Sequence, residues 1–259
     1  MATVAWSADA GRILAAESGR SFAVRSAADG EAILSVNNDK YFSAAALSPD
    51  GTVVATAGFN TGDLKWWLVR KETITSPAQN ILRDDGPVRT SFEPQVTMLV
   101  WRPDGRQVAA AMENGMVDIV DVQSRNSLLS LPAHDGFILS VDWSADGKSM
   151  ITSGSDETAK IWDTSDYHLL RIVDLKARGM LQRVAVSGDG LWLATMTVYE
   201  TNIWNFKTGR LVVILPSSSV GSWRPGGSEL ALSEPNAGLG LWSMGNALLL
   251  RNRIGELFR

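Results

Sequence analysis

Side chains able to do acid–base or nucleophilic chemistry are poorly grouped in this chain. Its 259 residues include two histidines, His134 and His168, and no cysteine. Disulfides and thiolate-bound zinc or iron–sulfur centres are therefore excluded. Neither histidine lies in a spacing that catalysis uses. There is no Gly-x-Ser-x-Gly turn, no His-Glu-x-x-His helix, no Gly-x-x-x-x-Gly-Lys-Ser/Thr loop and no calcium-loop pattern. His168 follows Tyr167 in an alternating segment, where an imidazole faces solvent or packs. Aspartates recurring before glycine suggest a ring of metal ligands, but they are turn residues spread around one face, too far apart to share an ion. The expectation is no catalytic residue, no metal ligand and no cofactor.

Those aspartates lead to the element that carries them. One turn recurs as Trp6-Ser-Ala-Asp-Ala-Gly11, Leu47-Ser-Pro-Asp-Gly51, Trp101-Arg-Pro-Asp-Gly105, Trp143-Ser-Ala-Asp-Gly147, Val186-Ser-Gly-Asp-Gly190 and Trp223-Arg-Pro-Gly-Gly227. Its period is about 42 residues with one longer interval, the mark of a repeat architecture. Each copy follows an alternating apolar segment, such as Ile138 to Trp143, and precedes a short apolar run, such as Val108 to Met112. These read as two antiparallel strands joined by an Asp-Gly turn. A third strand ends in an aromatic at Trp67, Trp162, Trp204 and Trp242, and a fourth follows, as in Leu211 to Leu215. A four-stranded sheet cannot cover both its faces alone, whereas sheets stacked around an axis bury each other. The expected fold is all-β: a propeller of six four-stranded blades in one domain over 1–259. The alternative is seven blades, with one incomplete or supplied by a partner.

The copy from His134 to Asp163 closes in Trp162-Asp163 and carries Ser153-Gly-Ser-Asp156, and it resembles the WD40 repeats. The other copies are weaker, closing in Val24-Arg25, Val120-Asp121, Trp204-Asn205 and Trp242-Ser243. The resemblance implies that His134, Ser153, Asp156 and Trp162 form a buried hydrogen-bond tetrad, a structural role. The chain begins on a first strand and ends on a fourth, so each blade is expected to be contiguous in sequence, with no strand exchange.

The net charge of -4 and pI near 5.3, with no Lys/Arg-rich run, offer nothing to a phosphate backbone or an anionic membrane. No stretch is long and apolar enough to span a bilayer, and no leader pattern is visible, so a cytoplasmic protein is expected. The partners expected are other proteins, not nucleic acid or membrane. The resemblance implies a commonly used face formed by the loops before the first strand and between the second and third. There Tyr41, Phe59, Arg89, Arg178, Arg183 and Tyr199 are the candidate contacts, residue types enriched at interface anchors. Residues 70–95, with prolines and mixed charge, read as a surface insertion. The function expected is a non-catalytic scaffold or adaptor subunit of a complex, or alternatively a regulatory propeller controlling an associated enzyme.

Overall fold

A computed structural model describes residues 3–17, 19, 21–37, 41–59, 63–69, 95–174, 181–216, 221–224, 226–234, 238–245 and 248–253. Every regular element among them is a strand. The first sheet is β1 (Thr3–Trp6), β2 (Arg12–Glu17), β3 (Ser21–Ser26) and β4 (Ala32–Asn37). The second is β5 (Phe42–Leu47), β6 (Val53–Gly58) and β7 (Leu64–Leu68), and the third β8 (Val96–Trp101), β9 (Gln107–Met112), β10 (Met116–Asp121) and β11 (Ser127–Pro132). The fourth holds β12 (Ile138–Trp143), β13 (Ser149–Gly154), β14 (Thr158–Asp163) and β15 (Leu169–Asp174). The fifth is β16 (Leu181–Val186), β17 (Trp192–Thr197), β18 (Glu200–Asn205) and β19 (Leu211–Pro216). The sixth is β20 (Gly221–Trp223), β21 (Glu229–Glu234), β22 (Gly238–Gly245) and β23 (Leu248–Arg253).

Strands within each sheet are antiparallel and pair in chain order, so every sheet is contiguous in sequence, as expected. The second sheet has three strands among the described residues; the expected fourth falls on residues outside them, as does nearly all of the expected insertion.

The recurring turn is closed by its own side chains. Ser7, Ser48, Ser144 and Ser187 are buried, and each donates its hydroxyl to the aspartate two residues on, at 2.5–2.7 Å. Each also accepts, at 2.9 Å, the N–H of the residue that opens the second strand. In the third and sixth copies an arginine takes the serine's place and reaches that same strand, Arg102 to Gln107 and Arg224 to Glu229. Gly51, Gly105, Gly147 and Gly190 take φ of 68–72°, the left-handed region that costs glycine nothing. In the first copy Ala10 holds that position, with φ 55° and its N–H on the Ser7 carbonyl. Counted from its serine, the first turn thus reaches its left-handed position one residue before Gly11.

Two compact units divide the chain, Met1–Pro132 with the first three sheets and Ala133–Arg259 with the last three. In the first unit, Phe22, Val24 and Leu14 pack on Phe42, Val54 and Trp67, and Trp66 and Leu64 on Trp101 and Val108. In the second, Ile151, Ile161 and Val173 pack on Val184 and Leu193, and Ala194, Met196 and Ile203 on Trp223 and Leu230. Each large side chain so buried contributes about 2–3 kcal/mol. The second strands of the second to fifth sheets are covered on both faces, which replaces alternation by runs such as Val108-Ala-Ala-Ala-Met112, whereas β2 and β21 alternate buried with half-buried residues.

Tryptophans do more than fill the gaps between sheets. The Trp101 indole N–H donates to the Ala46 carbonyl of the second sheet at 3.1 Å, and Trp223 does the same to Ala185 of the fifth at 3.0 Å. Between the fourth and fifth sheets the Asp142 carboxylate accepts the Val186 N–H at 2.9 Å.

Candidate functional site

The strongest polar constellation lies in the fourth sheet, and the logic of its hydrogen bonds fixes its protonation. An indole N–H can only donate, and that of Trp162 meets Thr152 Oγ1 at 2.9 Å. His134 Nδ1 faces both oxygens of Asp156, which only accept, at 2.9 and 3.0 Å, and with burial favouring the neutral ring its one proton sits there, so Nε2 accepts the Thr152 hydroxyl at 2.8 Å. Asp156 further accepts the Thr158 hydroxyl and N–H at 2.8 and 3.2 Å. Burial pushes the His134 pKa down, against the pull of Asp156. Every member is satisfied by another, so the chain of bonds ties the segment before β12 to β13 and β14, with Thr152 and His134 both buried.

Three of the four residues expected in this tetrad take part; Ser153 does not. Trp162 pairs across from Met150, so the face it shares on β13 carries Met150 and Thr152, while Ser153 points to the other side. Its hydroxyl is buried without a hydrogen-bond partner. The Trp–Thr bond also recurs without a histidine: Trp67 donates to Thr56 at 2.9 Å and Trp204 to Thr195 at 3.0 Å. The weaker second and fifth copies therefore keep one buried side-chain bond of the tetrad. In the third sheet Ala110 and Val120 occupy the two places, and both are buried.

His168 is exposed and pairs with Asp166, which raises its pKa. Asp163, Asp166 and His168 form an exposed cluster with atoms close enough to hold a cation, but the turn itself uses them, Asp163 accepting Ser165 and Asp166 the His168 N–H.

The loop ends carry the expected contact residues. Tyr41 and Phe59 meet because the Phe59 N–H donates to the Tyr41 carbonyl at 2.9 Å, one step beyond the Phe42–Gly58 pair of β5 and β6. Their rings lie edge to face at 6.5 Å and stay 50% and 46% exposed. Beside them opens a groove of about 470 Å³ lined by Gly19, Phe42, Ser43, Gln95 and Thr97 together with the two rings. Phe42 itself is buried, whereas Phe137, at the position matching Tyr41 in the fourth sheet, is exposed. In the fifth sheet only Val198 and Tyr199 link β17 to β18, and Thr197 Oγ1 accepts the N–H groups of Tyr199 and Glu200, which throws Tyr199 into solvent at 67% exposure. Arg183 is exposed on β16 beside a register shift. Arg89 and Arg178 lie outside the described residues. Gly19, Gln95 and Thr97 were missed, since only the folded sheets bring them to Tyr41 and Phe59.

Comparisons with known proteins bear on the same features. Residues 125–163 match the family profile of the WD domain, G-beta repeat, which is the copy containing the tetrad. A stretch of 123 residues, 47% of this chain, is 27% identical to the Periodic tryptophan protein 2 homolog of Caenorhabditis elegans, of whose length it covers 14%. Over 138 residues, 53% of this chain and 39% of the other, it is 27% identical to the COMPASS component SWD3 of Saccharomyces cerevisiae. The chain thus spans well under half the length of these relatives. Among solved structures it resembles the Cps50 (Swd1) β-propeller domain of Myceliophthora thermophila with a TM-score of 0.75 at 20% identity, over 93% of this chain and 83% of that one. That likeness establishes the propeller fold.

Proposed function

We propose that this chain, a WD40-repeat β-propeller, is a non-catalytic scaffold or adaptor subunit that binds other proteins through the loop ends of its sheets. The observation that carries this is the exposed Tyr41–Phe59 pair over its groove, set against a tetrad whose Thr152 and His134 are buried. Exposed aromatics are among the residue types enriched at interface anchors. A relative named as a component of a complex supports the same reading.

In the second unit Tyr199 and Arg183, exposed on the fifth sheet, are the proposed contacts, and Arg89 and Arg178 remain candidate contacts from the sequence alone. Affinity purification from the native host, followed by mass spectrometry, is the test. Wild type is expected to retain a stable partner, and the double variant Arg183→Glu/Tyr199→Ala to lose at least tenfold of it with an unchanged melting temperature. Absence of any stable partner overturns the scaffold reading; full retention by the variant removes Arg183 and Tyr199 from the surface.

A further inference from the structure

We propose that a cleft between the fourth and fifth sheets, at the opposite end of the strands from Tyr199, receives an extended segment of a partner protein in which a basic and an acidic residue flank an apolar one. The cleft has a volume of about 720 Å³, and every residue lining it lies in the stretches 95–174 and 181–216, which are described without a break. It opens where two recurring turns stand apart. The turns of the fifth and sixth sheets touch, Gly188 donating its N–H to the Gly227 carbonyl at 3.0 Å and packing so tightly that a Cβ there would lie 2.3 Å from the Gly226 nitrogen. Among the described residues no such bond joins the turn at Ser144 to the turn at Ser187.

Two lining residues depart from the repeat in a way the fold does not require. Arg171 pairs across from Ile161, a place that Leu34, Leu129 and Val213 fill in the first, third and fifth sheets. Phe206 donates its N–H to a carbonyl just after the recurring turn, and the residues doing so in the other sheets are Ala27, Val69, Val122, Thr164 and Met244. The two departures meet: Arg171 Nη1 reaches the Phe206 carbonyl at 3.5 Å, and its stem crosses Gly209, where a Cβ would lie 2.9 Å from Cδ. Among the described residues Arg171 has no carboxylate within ion-pair reach, and Lys207 lines the cleft beside it.

The charges present decide the chemistry of the occupant. Asp146 and Asp189 face the same cleft from the two turns, and each receives its serine hydroxyl and a backbone N–H on Oδ1, which leaves Oδ2 for a ligand. The Lys148 N–H holds the Asp146 carboxyl below its ordinary value, so it is charged at neutral pH. A lone anion would meet these carboxylates and a lone cation would meet Arg171 and Lys207, whereas a segment carrying both signs satisfies both sides. Acid lies on the side of the first and second strands and base on that of the third and fourth, a separation of about 10 Å, the reach of about three extended residues. Between them Phe206 and the half-exposed Leu170 offer an apolar wall for the side chain in the middle.

Random dodecapeptides displayed on phage, selected on the wild-type protein and depleted on Arg171→Leu, supply the probe. Arg171→Leu carries the residue that the first and third sheets hold at this place, so it should melt no lower than wild type. The retained sequences are expected to share a basic and an acidic residue about three positions apart with an apolar residue between. Their synthetic versions should bind Arg171→Glu at least tenfold more weakly, and Lys in place of the acidic residue should restore most of that affinity. Asp189→Asn, which keeps an oxygen for the Ser187 hydroxyl and the Leu191 N–H, should weaken them at least threefold. Retained sequences of one sign or none, equal binding to Arg171→Glu, or no retained sequence at all overturns the inference. Equally tight binding of the free dipeptide Arg-Asp assigns the cleft to a small zwitterion and overturns it too. In the host purification, retention of every partner by Arg171→Leu removes the cleft and leaves standing the loop-end surface, which Arg183→Glu/Tyr199→Ala tests separately.

Discussion

The third and fourth sheets share one register and solve the same packing problem with opposite chemistry. In the fourth, Trp162, Thr152, His134 and Asp156 are joined by directed hydrogen bonds. In the third, Val120 stands for the tryptophan and Ala110 for the threonine, and neither brings a polar atom inside. Donor and acceptor are absent together, as the cost of a buried unpartnered polar group demands. A polar network is therefore one of two sufficient ways to hold a blade, and its members are interdependent where they occur.

The largest expected effect comes from breaking that network at its centre. Thr152→Val should lower stability by about 3 kcal/mol in chemical denaturation, since it strands the Trp162 N–H and His134 Nε2 together. A loss below about 1 kcal/mol would mean that the network adds nothing over the third sheet's apolar solution.

Next in size is Asp142, which occupies the position of Val100 in the third sheet. Burial raises its pKa to about 6, against the Val186 and Trp143 N–H groups and the Arg183 charge. The folded pKa thus exceeds the ordinary 3.8, so the folded state keeps a proton that the unfolded chain has already released. Stability from this group is full below pH 4 and is lost as pH rises to about 6. Asp142→Asn keeps an oxygen for the Val186 N–H without the charge. It should melt several degrees above wild type at pH 7.5, with the gap closing by pH 4; a gap independent of pH would refute this account.

A smaller effect separates the turns after the second strands. Gly115 in the third sheet and Glu157 in the fourth both have positive φ, 85° and 61°. Glu157→Gly should stabilise by up to about 1 kcal/mol, and Gly115→Glu should cost about as much or more. Smallest of all, Ser153→Ala should change stability by less than about 0.5 kcal/mol, because its hydroxyl bonds nothing. A loss of 2 kcal/mol there would restore the serine to the tetrad.

Much of this was legible in the sequence. The recurring turn located the strands to within a residue or two, because the serine, aspartate and left-handed position act only within the turn itself. The tetrad was three-quarters legible. Choosing Thr152 over Ser153 required the parity of β13 against β14, and counting in twos across the pair from Trp162 to Met150 to Thr152 would have supplied it. The groove was not legible as a unit, since Gly19, Tyr41, Phe59 and Gln95 are brought together by stacking of three sheets, which no local pattern encodes.

The directed bonds between side chains that mark this repeat lie inside single sheets. Between sheets, Trp101 and Trp223 call on the backbone carbonyls of Ala46 and Ala185, which any residue would offer. A blade can therefore lose its signature without its neighbour registering the change, and successive mutations accumulate copy by copy, free of compensation next door. One copy at full strength among five worn ones is the pattern that such independent drift leaves behind.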